Sequence, residues 1–306
     1  MLMVRMVRMM RTARMMGASL SLTLALPGLA PCAQASAAIS VTDDAQHRIT
    51  LGKPAQRIVS LAPHATELIY AAGAGDKLIA VSDYSDYPEA ATHLPSVGSV
   101  FALDTERLLA LKPDLVVIWG TGNGKNLAQK LRDQHIAVFE SEPKNYETIA
   151  TSLERLGKLA GKESEAGDAA RRFRERLQKL RAAYASKDVP VGVFYQVSNK
   201  PVMTLNGTHM VSDAIRLCGG SNVFGALTPI SPTISTEAVL AANPDAIITG
   251  GNDTGSLQMW QAYPVIKAVK AKHLYAVPAD WLNRAGPRIL DGTEALCKAI
   301  RSARNS

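Results

Sequence analysis

The stretch Glu106-Arg-Leu-Leu-Ala-Leu-Lys-Pro-Asp-Leu-Val-Val-Ile-Trp-Gly120 returns in the second half of the chain as Glu237-Ala-Val-Leu-Ala-Ala-Asn-Pro-Asp-Ala-Ile-Ile-Thr-Gly-Gly251. Glu, Leu, Ala, Pro, Asp and the closing Gly keep the same spacing. Each copy reads as a short amphipathic helix opened by a carboxylate, which favours a helix N-terminus. A Pro-Asp turn stops the helix, and the apolar run after it has the character of a buried parallel strand. One such unit is common in α/β proteins. Two in register predict two α/β lobes of similar build, and paired lobes leave a cleft, a preferred place for a small ligand.

The flanking sequence extends both copies into lobes. Ile39 to Thr50 alternates around Asp43-Asp44 and predicts a β-hairpin before the first lobe. Short apolar runs at 57–61, 78–82 and 136–139 alternate with helical segments, one of which opens at Ala62-Pro63-His64 and ends at Gly73. Strand–helix alternation predicts a parallel, doubly wound sheet. After Pro190, Val191–Tyr195 starts the second lobe, and strands at 246–249 and 274–277 with a last helix over 287–303 continue it.

Between the lobes, Glu163 to Lys187 is polar and free of proline, with Phe173, Leu177, Leu180 and Tyr184 at helical spacing. At 1.5 Å per residue such a helix runs ~37 Å, a rigid strut rather than a flexible linker. The expected domains are therefore a first lobe with its leading hairpin at 38–160, a backbone helix at 161–187 and a second lobe at 188–306.

The beginning of the chain is of another kind. Arg5, Arg8, Arg11 and Arg14 stand without an acid, and an apolar stretch from Met15 to Ala30 leads to Ala35-Ser36-Ala37. That is the pattern of a secretory signal peptide over 1–37, cut after Ala37. The run is too short and too broken by Pro27-Gly28 for a membrane span of about 20 apolar residues. Four of the positive charges in the net +7 lie in this segment, which leaves +3 for the rest. No basic block with interleaved aromatics remains, so nucleic acid is not an expected partner.

Of three cysteines, Cys32 would leave with the signal. Cys218 and Cys297 remain, an even count that in an oxidising compartment predicts a disulfide, with two buried free thiols as the alternative. Neither has a Cys or His at metal-ligand spacing, so no metal site is expected there. The chain carries no P-loop, no GxGxxG and no HExxH, and no set of residues argues for catalysis.

Two α/β lobes on one long helix, in an exported chain, resemble the helical-backbone substrate-binding proteins of ABC importers, which carry cobalamin, haem, ferric siderophores or metals. Ser82-Asp-Tyr-Ser-Asp-Tyr-Pro88, Glu106–Asp114, Leu217-Cys-Gly-Gly220 and Asp280-Trp-Leu-Asn-Arg-Ala-Gly-Pro-Arg288 are similar to the vitamin B12-binding branch of that family. The resemblance implies periplasmic capture of a corrinoid by a monomer and delivery to the importer's permease subunits, with no cofactor beyond the transported ligand. It places Tyr84 and Trp119 on the first-lobe wall, and Asp280 and Arg284 on a second-lobe loop. It also places Glu106 and Glu237 on the outer tips of the lobes, facing permease arginines. Where that branch carries large aromatics in the second lobe, this chain has Val197, Met203 and Ser231, and Val100-Phe101 stands where a tryptophan is expected. His64 replaces a small residue on a loop facing the cleft, where a neutral imidazole can bind cobalt or iron or simply bond within the loop. Haem or a ferric siderophore is the same-fold alternative, and an exported two-domain enzyme is the alternative of another class.

Overall fold

The computed structural model describes residues 38–305, which lie within one compact unit. The expected signal peptide and Cys32 fall outside the described residues. The chain opens with the antiparallel hairpin of β1 (Ile39–Thr42) and β2 (Arg48–Leu51). Its turn is closed by the Asp43 carboxylate, which accepts the His47 N–H at 2.8 Å.

The first lobe runs β3 (Ile58–Ser60), α1 (Pro63–Ala71), β4 (Leu78–Val81), α2 (Thr105–Ala110), β5 (Leu115–Trp119), α3 (Gly120–Asn123), α4 (Lys125–Asp133), β6 (Ala137–Ser141) and α5 (Tyr146–Ala160). Its sheet has the order β4-β3-β5-β6, all parallel. The connecting helix is α6 (Glu163–Tyr184). The second lobe runs β7 (Val191–Gln196), the small hairpin β8 (Ser198–Asn199) and β9 (Val202–Met203), α7 (Met210–Leu217), β10 (Gly220–Asn222), α8 (Thr236–Ala242), β11 (Ala246–Gly250), α9 (Lys267–Lys270), β12 (Leu274–Val277), α10 (Ala279–Leu282) and α11 (Ile289–Arg304). Its main sheet is parallel with order β10-β7-β11-β12. Both lobes thus repeat one topology. The first strand lies between the second and the third, and the fourth lies outermost.

The repeated phrase occupies equivalent places, α2–β5 and α8–β11. Asp104 caps the first helix by accepting the Arg107 N–H, and Ser235 caps the second by accepting the Ala238 N–H. Lys112 and Asn243 take left-handed φ values of 47° and 41° and turn the chain out of the helix. The repeated aspartate then has a structural task. Asp114 accepts the N–H groups of Gln56 and Arg57 at 2.8 and 2.9 Å, and Asp245 accepts that of Gly192 at 2.8 Å. Each carboxylate fastens the entry of its lobe's first strand, a charge-assisted bond that the duplication preserved.

Strand side chains alternate between faces and feed separate cores. Leu115 and Val117 of β5 pack under α1, α5 and α6, while Val116 and Ile118 face Leu108 of α2 and Leu131 of α4. In the second lobe Val193, Tyr195, Ala246 and Ile248 meet α7 and α11, while Phe194 and Ile247 meet Val239 and the fully buried Trp260. α6 buries Ala166, Ala170, Phe173, Leu177 and Leu180 along one stripe. It packs on α5 of the first lobe and bonds across to α11 of the second, where Arg176 reaches Asp291 at 2.7 Å and Glu294 at 3.2 Å. The helix ends at Tyr184, three residues before the expected boundary, and Ser186 and Asp188 hydrogen-bond to each other just beyond it.

Cys218 at the end of α7 and Cys297 in α11 are joined as a disulfide. A closed loop of 79 residues stabilises by about 4–5 kcal/mol in the chain-entropy account.

Candidate functional site

Ligands of parallel α/β sheets sit beyond the carboxyl ends of the strands. Several chain segments converge there on a cleft of about 650 Å³: Pro63 and His64 at the start of α1, Trp119 and Thr121 after β5, Glu142 to Lys144 after β6, Thr208 to Met210 before α7, Ile230, and Leu282 to Ala285 between α10 and α11. Both lobes contribute walls.

Trp119 is the aromatic face of the first-lobe wall, 38% exposed at the end of β5. Its backbone N–H donates to Asn123 Oδ1 at 2.7 Å, and its indole Nε1–H donates to Glu142 at 3.3 Å. A Cβ at Gly122 would stand 2.0 Å from the indole ring, so any larger residue there would push the ring out of its position. Glu142 also accepts the Thr121 N–H at 2.8 Å and is itself held from behind. The hairpin turn supplies that support: Asp44 accepts the Glu142 N–H at 2.7 Å and is anchored by Arg155 of α5 at 2.6 Å. The leading hairpin therefore braces the cleft wall through a chain of charged hydrogen bonds.

His64 is 7% exposed, its Nε2 lies 3.2 Å from Ser141 Oγ, and its ring stands edge-on to Trp119 at 6.1 Å. Burial pulls its pKa down to about 4 against the opposing pull of Glu142, so the imidazole is neutral at ordinary pH.

Arg284 lines the cleft but is already engaged with three carboxylates. It meets Asp86 at 2.6 Å, Asp280 at 2.9 Å and the buried Glu67 at 3.4 Å. Burial works against its charge, but the hydrogen bond it donates to Asp86 and the nearby carboxylates outweigh burial and raise its pKa. The same bond holds the Asp86 carboxyl below its ordinary value. Arg288 forks onto Glu67 through Nε at 3.0 Å and Nη2 at 2.5 Å, and its guanidinium lies 4.1 Å over the ring of Tyr87. Glu67 and Asp86 belong to the first lobe and the two arginines to the second. This network clasps the lobes at one edge of the cleft.

Of the residues expected from sequence, His64, Trp119 and Arg284 come together as cleft lining. Asp280 pairs with the cleft-lining Arg284, and Tyr84 stands 77% exposed at a left-handed φ of 64°; neither is in the lining set. Glu106 and Glu237 are exposed in the first turns of α2 and α8, equivalent positions of the two lobes. Sequence reasoning missed Glu67, Glu142, His209 and Arg288. The Arg-x-x-x-Arg spacing of 284 and 288 was a usable signal for a shared carboxylate partner.

Away from the cleft, Asp43, His47 and Glu140 form one cluster with metal-ligand geometry among the described residues. Arg132 already enters it, 2.7 Å from Glu140 and 3.8 Å from Asp43, so the cluster reads as an ion-pair knot beside the hairpin.

Comparison with known proteins agrees with this architecture. Residues 58–281 match the profile of a periplasmic binding protein, and the chain belongs to that family. It is 42% identical over 251 residues to the vitamin B12-binding protein of Vibrio cholerae, covering 82% of this chain and 91% of that one. It is 36% identical over 279 residues to the vitamin B12-binding protein of Yersinia pestis, covering 90% and 95%. The crystal structure of the periplasmic vitamin B12-binding protein BtuF of Vibrio cholerae superposes with a TM-score of 0.78 at 42% identity, over 83% of this chain and 99% of that one. The periplasmic heme-binding protein HutB of the same organism shares the fold alone, with a TM-score of 0.69 at 23% identity over 79% and 98%.

Proposed function

We propose that this chain captures cobalamin or a closely related corrinoid between its two lobes and hands it to an ABC importer. The observation that carries the reading is the 42% identity to BtuF over 99% of that chain, against 23% to a heme binder of the same fold. The cleft's chemistry agrees. A corrinoid is a broad, partly apolar disc rimmed with amides, suited to one aromatic wall, Trp119, and to polar groups from both lobes. The chain acts as a carrier and not an enzyme, working as a periplasmic monomer after removal of residues 1–37. Residues 38–160 and 188–306 form the lobes, and 161–187 the segment between them. Tyr84 and Asp280 join the ligand set from the cleft rim. Purified protein incubated with cobalamin, cobinamide or haem and then desalted should retain corrinoid absorption bands. Retention of the haem band alone would replace this reading with the haem alternative.

Delivery needs a second contact. Glu106 and Glu237 are solvent-facing acids at matching places on the two lobes, which suits docking against cationic permease residues, one per lobe. Charge pairs at a transient interface contribute orientation and on-rate more than affinity. The double variant Glu106→Ala/Glu237→Ala is expected to bind corrinoid as the parent does yet fail to support uptake, with either single change milder. Normal uptake by the double variant at ordinary expression would remove the docking role. Weakened ligand binding would show that the two acids lie nearer the cleft than docking requires.

A further inference from the structure

We infer that His209 donates a hydrogen bond to an oxygen acceptor of the transported ligand from the second-lobe wall, an inference that rests on the corrinoid reading above. The start of α7 leaves backbone N–H groups without intrahelical partners, and a capping Ser, Thr, Asp or Asn usually accepts one of them. Here a histidine does so, its Nδ1 accepting the Val211 N–H at 3.2 Å. A ring nitrogen that accepts carries the lone pair, so in the neutral imidazole the proton sits on Nε2. Burial pulls the His209 pKa down against a weaker opposing pull from Asp213, which keeps the ring neutral. The far nitrogen is thus an N–H donor, it has no protein acceptor among the described residues, and the residue lines the cleft. A capping serine would satisfy the helix equally well and reach no further.

Protonated Nε2 has no lone pair for a metal, so this imidazole addresses oxygen and not cobalt or iron. The loop that carries it is fixed beforehand. Asn206 Oδ1 accepts from the Thr208 N–H and hydroxyl at 3.0 and 2.8 Å, while Asn206 Nδ2 donates to the Thr228 carbonyl at 3.0 Å. Ser212 donates to the Asn206 carbonyl at 2.7 Å and accepts from Asn222 at 2.8 Å. A donor held in place loses little freedom on binding. Corrinoids offer two kinds of oxygen acceptor, the carbonyls of their side-chain amides and the phosphodiester and ribose oxygens of the nucleotide loop. Cobinamide has the first and lacks the second.

Two substitutions separate the cap from the donor. His209→Ser keeps an acceptor for Val211 and removes the far N–H. His209→Gln loses the capping geometry and places an amide N–H where the imidazole Nε2 lies. His209→Ser should keep the parent's thermal midpoint and bind cyanocobalamin roughly tenfold more weakly, as loss of one hydrogen bond would produce. His209→Gln should melt lower and bind within about threefold of the parent. An equal loss with dicyanocobinamide assigns the acceptor to an amide, and a loss confined to cobalamin assigns it to the nucleotide loop. Parent-like affinity of His209→Ser for both ligands overturns the inference, as does a folded His209→Gln no better than His209→Ser. Imidazole nitrogen resonances of the ligand-free protein give an independent arm, with an Nε2–H tautomer expected and an Nδ1–H tautomer contradicting it. A parent protein that binds neither corrinoid overturns the transport reading instead, and the tautomer measurement still decides what His209 presents.

Discussion

Trp119→Ala is expected to weaken corrinoid binding by about 2–4 kcal/mol, roughly 30- to 1,000-fold, with little change in stability. The indole is the broad apolar surface of the first-lobe wall, and it is held there rather than buried. Its Nε1–H is bonded to Glu142, its backbone to Asn123, and its ring lies against the Cα of Gly122. Removing it leaves the β5 core residues Leu115 to Ile118 untouched, since they point into the sheet's two hydrophobic layers. Calorimetric titration of the variant checks the affinity, and a denaturant midpoint checks the fold. Unchanged affinity would take Trp119 out of the ligand site. A large loss of stability would make its role one of packing.

Glu67→Ala is expected to destabilise the ligand-free protein by on the order of 3 kcal/mol, because it breaks a buried ion pair and leaves a partner uncompensated. Its side chain is 1% exposed, and the two arginines it serves are only 14% and 16% exposed. Arg284 would keep Asp86 and Asp280, whereas Arg288 would lose the carboxylate that its fork grips. Stacking on Tyr87 cannot replace that charge. The lobes would lose a clasp that ties α1 to the segment before α11. The urea midpoint should fall with an unchanged slope, which reports lost stability and not an altered unfolded state. A midpoint within experimental error of the parent would show that water enters the clasp and screens both arginines.

The duplicated phrase made the two lobes legible, because helix–turn–strand patterning is local and appears twice. The long helix was legible for the same reason, as an apolar stripe at helical spacing. The purpose of the repeated Asp114 and Asp245 was not, since their partners at 56–57 and 192 lie far away in sequence. Distance also hid the clasp, where Glu67 meets arginines more than two hundred residues further on. His209 was missed because histidine is not a usual capping residue, so Thr208-His209-Met210 gives no start signal. The hairpin was legible as a β-hairpin, but not its task, since Asp44 reaches Glu142 and through it the indole. Tyr84 was placed on the cleft wall by likeness to a family motif, and it stands 77% exposed on its loop, outside the residues that line the cleft.

The most direct test is an equilibrium titration of the mature protein with cyanocobalamin, followed by calorimetry and by visible absorption after gel filtration, with a parallel titration of haem. Capture of one corrinoid between the lobes predicts saturation at one cobalamin per chain, co-elution of the corrinoid bands and no saturable uptake of haem. Haem saturating the chain while cobalamin elutes free would contradict the account.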